Sequence, residues 1–288
     1  MAIKTILVPL RGDAMDARAL GAAGMLAKKF GAHLTALHVE PDAGDLIASM
    51  PIDVGGGAYF MEELTKSIQS SSDAHRDGAK RAFSEWRIAT GVPEVAVPGE
   101  APGETARLLL VVGNEQAELR THAQVSDLVV LGLAPREDVD ASLALEVALL
   151  DSGRPVLALP LKATIPAADA PVAIAWNDTA ESARALAASL PIIAGAKEAL
   201  ILHAGTTLDP GRLERVVSYL AWHGIKARRE ELGAGDSPGI LIGERAAQIG
   251  AAMLVMGAYT HSRARELVFG GVTRHMLQAT LVPLLLSH

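Results

Sequence analysis

Apolar residues fall along this chain in short unbroken runs rather than in strict alternation. ILVPL (6–10), LTALHV (34–39), LVVL (128–131) and VLAL (156–159) each stop at a glycine, proline or charged residue. Runs of that length bounded by turn residues predict strands covered on both faces, as in a parallel sheet. Between them lie Ala- and Leu-rich stretches with apolar spacings of three and four, the period of an amphipathic helix. In the second half the pattern predicts strands near 171–176, 198–203, 226–232, 252–256 and 282–286, with helices near 179–194, 210–223, 238–250 and 271–280. Asp178 or Thr179 is placed to cap the first of these helices, and Asp209 with Pro210 to open the second. In the first half a helix is expected over 58–90, after a loop marked by Pro51 and Gly55–Gly57, although SSSDAHRDGAK in its middle is weakly helical.

The same landmarks occur twice in the same order. KTILVPLRGDAMDARAL (Lys4–Leu20) returns as APVAIAWNDTAESARAL (Ala170–Leu186), and HLTALHVEP (His33–Pro41) as EALILHAG (Glu198–Gly205). AQVSDLVVLG (Ala123–Gly132) matches AQIGAAMLVMG (Ala247–Gly257), and RPVLALP (Arg154–Pro160) matches VPLLLSH (Val282–His288). The chain is read as a tandem duplication. Domains are expected over 1–162 and 171–288, joined by a Pro- and Ala-rich linker at 163–170. Each copy alternates strand and helix through five strands. This is the α/β class, two tandem doubly wound parallel sheets of Rossmann-like or flavodoxin-like type. The last strand of each copy is short and apolar, and an open edge there needs cover.

Composition narrows the function. Of 288 residues 50% are hydrophobic and only 3% aromatic, so the core must be aliphatic. A formal net charge of −7 argues against a nucleic-acid partner. With no cysteine there are no disulfides, thiol catalysis or Cys-based zinc sites. The N-terminal MAIKTILVPLRGD lacks the apolar core of a signal peptide, and no apolar stretch reaches the roughly 18 residues of a membrane span. A soluble, cytoplasmic protein is expected.

In doubly wound sheets ligands sit beyond the carboxyl ends of the strands, where the winding reverses. That rule selects Trp176-Asn177-Asp178 and the stretch after Gly257. There Gly270 and Gly271 precede a helical pattern whose N-terminal N–H groups suit an anion. Thr273 adds a hydroxyl, and His261, Arg263 and Arg265 add donors. From spacing alone a second reading stays open, in which Gly257 ends a strand, Gly270 caps a helix and the arginines are solvated.

Gly257-x-x-Thr260, nine residues, then Gly270-Gly271-Val272-Thr273 resembles the G-2x-G-9x-G-[S/T] signature of ATP-binding universal stress proteins, whose fold is shared with adenine nucleotide alpha-hydrolases. The likeness extends over both copies. It implies an adenine-nucleotide site, ATP or ADP with or without Mg2+, built in copy two. The implied contacts are Ala175, Trp176 and Asn177 at the end of the first strand, Ala204 on the adenine side, and Gly257, Tyr259, Thr260, His261, Arg263, Gly270, Gly271, Val272 and Thr273 in the loop. Two departures stand out: Thr260 replaces a glycine and Gly271 a Ser/Thr. Copy one has lost the signature, with Pro135 at the second glycine position, Leu145-Glu146 near the Gly-Ser pair, Glu137, Asp138 and Asp140 repelling phosphate, and Arg11 at the end of its first strand. It is expected to be structural or regulatory. The family also implies that the last strands of the two copies pair as an intrachain pseudo-dimer, with a homodimer of whole chains as a further step. A stress or signalling role follows, with at most slow ATP hydrolysis, since no general base or metal-binding carboxylate pair is visible. The alternatives are a nucleotide-free interaction module and an alpha-hydrolase-type enzyme, whose catalytic residues are not found.

Other candidates read as structural. Eight of the nine histidines, His33, His38, His75, His203, His223, His261, His275 and His288, form no HxxxH or HExxH pattern and are expected to be ordinary. Asp13 and Asp16 are taken to precede a helix and cap it. Trp86 and Trp222 are expected to pack from helical positions. The sign-alternating run Lys226–Glu231 is expected to be a solvated strand edge.

Overall fold

A computed structural model describes residues 2–42, 58–133, 139–161, 163, 170–205, 209–233, 238–258 and 281–288. The first copy contains β1 (Thr5–Pro9), α1 (Ala14–Phe30), β2 (His33–Glu40), α2 (Ala58–Thr90), β3 (Thr105–Val112), α3 (Glu115–Gln124), β4 (Leu128–Gly132), α4 (Val139–Glu146) and β5 (Val156–Leu159). A π turn, Val147–Asp151, extends α4. The second contains β6 (Val172–Ala175), α5 (Ala180–Ile193), β7 (Ala199–His203), α6 (Pro210–Trp222), β8 (Ala227–Glu231), α7 (Pro238–Gln248), β9 (Leu254–Gly257) and β10 (Leu284–Ser287). The α/β alternation expected from the pattern is present. The helix expected at 271–280 and the Gly55–Gly57 loop lie outside the described residues.

Two compact units result, Lys4–Val130 and Leu131–His288 together with Met1–Ile3. In the first, strand order is β3-β2-β1-β4 with parallel pairing, Ile6 beside Leu34 on one side and Leu128 on the other. The second has β8-β7-β6-β9-β10, also parallel. Both orders reverse direction beside the first strand of the copy, which is the doubly wound arrangement. Each central strand is buried on both faces, as Ile6, Leu7 and Val8 in β1 and Leu200, Ile201 and Leu202 in β7 show. That is why their apolar runs do not alternate.

The compact units do not follow the repeat boundary. β5 belongs to copy one by sequence but lies in the unit of copy two. There it pairs antiparallel with β10, Leu285 opposite Leu157. Both strands are fully buried, so neither leaves an apolar edge.

Helix starts follow the expected chemistry. Thr179 caps α5 in a reciprocal capping box with Ser182. Asp209 caps α6, with Pro210 in its first turn. Asp13 caps α1. Two expectations fail. Asp16 does not cap. It sits inside the first turn of α1, 3% exposed, and its carboxylate accepts N–H bonds from Arg11 (3.0 Å) and Gly12 (2.7 Å), fixing the loop after β1. Trp222 does not pack: it is 88% exposed, because α6 buries the stripe Leu213, Val216, Leu220 and Trp222 lies off it. Trp86 does pack, against Phe83 and over Gly24.

Helix α2 runs unbroken through its polar middle. That middle is tied by the Arg76–Glu40 ion pair at 3.1 Å and by a close approach to the loop after β1. Gly12 has φ +80°, and a Cβ on it would stand 2.6 Å from the carbonyl carbon of His75. A Cβ on Gly78 would stand 3.0 Å from that of Gly12. Only two bare Cα atoms let α2 meet the loop after β1 this closely.

Candidate functional site

The carboxyl ends of β7, β6 and β9 lie side by side, with the winding reversal between β6 and β9. The turn after β6 is heavily tied. Trp176 N–H donates to the carbonyl of Leu202 at 2.9 Å. His203 Nδ1 donates to the carbonyl of Trp176 at 2.8 Å, linking the first two strand ends. The same bond recurs in the first copy, where His38 Nδ1 donates to the carbonyl of Leu10 at 2.9 Å. These two histidines, expected to be ordinary, therefore hold the shape of each strand-end turn. Their recurrence before Val39 and Ala204 was the visible sequence signal.

Asn177 is exposed, and its Oδ1 accepts from the Thr179 hydroxyl at 2.9 Å. Asp178 follows with φ +60°, a left-handed conformation that asparagine and aspartate tolerate better than most residues. Its carboxylate is ion-paired with Arg212 of α6. The position corresponds to Gly12 of the first copy, which is left-handed too.

Of the residues expected to hold nucleotide, Ala175, Trp176, Asn177, Ala204 and Gly257 are brought together at these three strand ends. Tyr259, Thr260, His261, Arg263 and the Gly270–Thr273 segment lie outside the described residues, as do Pro135, Glu137 and Asp138 of the first copy. Gly257 has a structural explanation of its own: a Cβ there would stand 2.5 Å from Ser182 N, so the bare Cα admits the first turn of α5.

Beside the β6 turn is a cleft of about 740 Å³ between α5 and α6. Trp176 and Asp178 form one end, and Ala183 and Leu186 the α5 wall. Arg212, Arg215, Val216 and Tyr219 form the α6 wall, with Asp209 at its start. Among these, sequence reasoning pointed only to Trp176 and Asp178, in the turn after β6. No helix among the described residues is long and apolar enough to cross a membrane.

This architecture has known counterparts. The crystal structure of a universal stress protein from Archaeoglobus fulgidus DSM 4304 superposes with a TM-score of 0.66 over 98% of this chain and 95% of that one, at 17% identity. The fold is that of the universal stress proteins. A protein of Pseudomonas aeruginosa UCBPP-PA14 assigned to the same group gives 0.59 over 99% of this chain and 93% of that one, at 18% identity. No family model matches the chain, and no curated protein does. At these identities the likeness is one of universal stress protein fold, arranged in tandem over almost the whole chain.

Proposed function

We propose that this is a tandem universal stress protein that binds an adenine nucleotide, ATP or ADP, in its second copy and acts in stress response or signalling in the cytoplasm. The observation that carries this reading is positional. The sequence G-2x-T-9x-G-G begins at Gly257, where β9 ends beside β6 at the winding reversal, the place where such sheets take ligands. Asn177 and Trp176 end the adjoining strand. Backbone N–H groups at Gly270–Thr273 would receive the phosphates, as helix N-termini do. The chemistry the nucleotide supplies is recognition of its own charge state; this chain's residues bind and orient it.

One observation favours a second reading, a nucleotide-free interaction module. The bare Cα of Gly257 is already accounted for by its contact with α5, and Thr260 and Gly271 depart from the signature. The β5–β10 pairing supports a built-in pair of copies, and a homodimer of whole chains is the corresponding expectation for sedimentation analysis.

Mass spectrometry of ligand released from the denatured protein separates the two readings: ATP or ADP supports the first. Calorimetric titration then tests the loop. Gly270→Val should abolish ATP binding with little loss of stability, and Pro135→Gly should leave it unchanged. If Gly270→Val binds ATP as the parent does, the loop is only a turn.

A further inference from the structure

The outermost strand of the first unit leaves one side open. β3 ends the strand order and pairs with β2 through all eight of its residues, its backbone groups alternating between the two sides. Thr105 and Gly113 give their N–H groups to the carbonyls of Ala32 and Glu40, on the β2 side. Ala106 faces the other way: its N–H donates to Pro93 at 3.0 Å and its carbonyl accepts from Val95 at 2.9 Å. By that alternation Leu108, Leu110 and Val112 also turn their N–H and C=O groups outward, where those groups meet no hydrogen-bond partner among the described residues. The covering segment stops short for a visible reason. Its next rung would bring Val97 N–H to the Leu108 carbonyl, but the Glu100 carboxylate takes that N–H at 3.2 Å and the N–H of Ala96 at 2.8 Å.

This edge is apolar and unguarded. From Leu108 to Val112 every side chain is aliphatic, with Leu110 38% and Val112 65% exposed, and Val97 is 54% exposed where the cover ends. Arg107, the one charged residue of β3, is turned over the sheet to donate to Thr35 at 3.1 Å. The corresponding edge of the second copy is β8, only five residues long, ARREE, and held in Arg–Glu pairs. Short length and charge are how soluble proteins keep sheet edges apart. β3 is long, and its open stretch carries no charge. An open ladder of this kind is completed by another strand, and β3 is its own complement. In antiparallel register about Leu110, Leu110 faces Leu110, Leu108 faces Val112 and Leu109 faces Val111, so each outward N–H finds a carbonyl and no charges meet. The same twofold pairing of β8 would set Arg229 against Arg229. The chain already closes another apolar edge in this way, β5 against β10.

We infer that the β3 edge is a self-association surface, occupied by the β3 edge of a second molecule of this chain paired antiparallel across a twofold axis at Leu110. The inference gives a surface to the homodimer expected above and rests on that expectation, but not on nucleotide binding. One strand per chain makes a contact at the small end of specific interfaces, below about 1,200 Å², so the association is weak and reversible.

Sedimentation velocity of the full chain over a concentration series should show a monomer–dimer equilibrium. Leu110→Lys and Leu110→Glu each put like charges on the axis. Each should weaken the dimer about ten-fold with an unaltered circular dichroism spectrum, and their equimolar mixture should restore it. The chain has no cysteine, so single introduced cysteines report the register. Leu110→Cys should cross-link to a dimer under mild oxidation, because facing residues of such a pair lie about 5.5 Å apart at Cα. Val112→Cys, at a more exposed position, should not, because its twin lies four residues along the strand, about 14 Å away. A parent chain that stays monomeric overturns both the homodimer and its surface. A dimer indifferent to Leu110→Lys and Leu110→Glu, or cross-linked through Val112→Cys and not through Leu110→Cys, leaves the homodimer standing and overturns the β3 assignment.

Discussion

Replacing Gly12 by alanine perturbs the first copy in two separable ways. At φ +80° an L-residue costs about 1–2 kcal/mol. The new Cβ would also meet the backbone of His75 at 2.6 Å, and backbone cannot swing away as a flexible side chain can, so overpacking adds about 1–3 kcal/mol. Gly31→Ala is the control. It lies at φ +56° with no neighbour within 4 Å, so it should show the conformational cost alone. Gly78→Ala reverses one sign. Alanine is favoured in a helix interior by about 0.5–1 kcal/mol, but its Cβ meets the Gly12 carbonyl carbon at 3.0 Å, and a net loss of about 1 kcal/mol is expected. The two substitutions push apart the same two segments, so the double variant should cost less than the sum, by about 1 kcal/mol. Urea unfolding, with hydrogen exchange of α1 and α2 amides to assign the loss to the first unit, reads all four variants. If Gly78→Ala stabilises the protein, or Gly12→Ala costs no more than Gly31→Ala, the close approach does not hold α2.

Burial pushes the Asp16 carboxyl up from 3.8 to about 6, against the Arg11 and Gly12 N–H bonds that favour its ionised form. Between those values the folded protein keeps a proton that the unfolded chain has released. Asp16 should therefore reduce stability as pH rises from about 4 to about 6, by on the order of 2–3 kcal/mol. Urea midpoints across that range should show the slope, and Asp16→Asn should flatten it. Thr179→Ala removes one half of the α5 capping box and should cost about 1 kcal/mol in thermal or urea unfolding. Trp222→Ser, at a side chain 88% exposed, should shift the urea midpoint by less than about 0.5 kcal/mol equivalent.

Strand and helix order could be read from the sequence because local signals agreed. Apolar runs marked the strands, Thr179 and Asp209 marked helix starts, and β8 with its Arg–Glu pairs proved the charged edge of its sheet. Trp222 was misjudged because helical spacing alone does not say which face is inward. Placing Leu213, Val216 and Leu220 on one stripe would have put it outside. Asp16 was misjudged because the helix begins at Ala14, two residues earlier than its charge suggested. The pairing of Gly12 with Gly78 joins segments 66 positions apart by number, and no local pattern encodes it. The α5–α6 cleft was hidden for a related reason: its walls come from two helices separated in sequence by β7. The grouping of Ala175, Trp176, Asn177, Ala204 and Gly257 followed from topology, because a winding reversal gathers the ends of β6, β7 and β9.

The antiparallel union of β5 and β10 bears on how such a chain can change over time. A strand encoded before the linker is completed by the last strand of the sequence, so the two copies no longer carry interchangeable sets of parts. A nonsense mutation ahead of Leu284 would strip Val156–Leu159 of a neighbour nearly 130 positions away and expose an apolar ribbon suited to sticking to other chains. Severing the gene at the linker would do the same to both products. Doubling the unit was thus a one-way step: the two copies can diverge in sequence, as the turns after their first strands have, yet neither can be discarded.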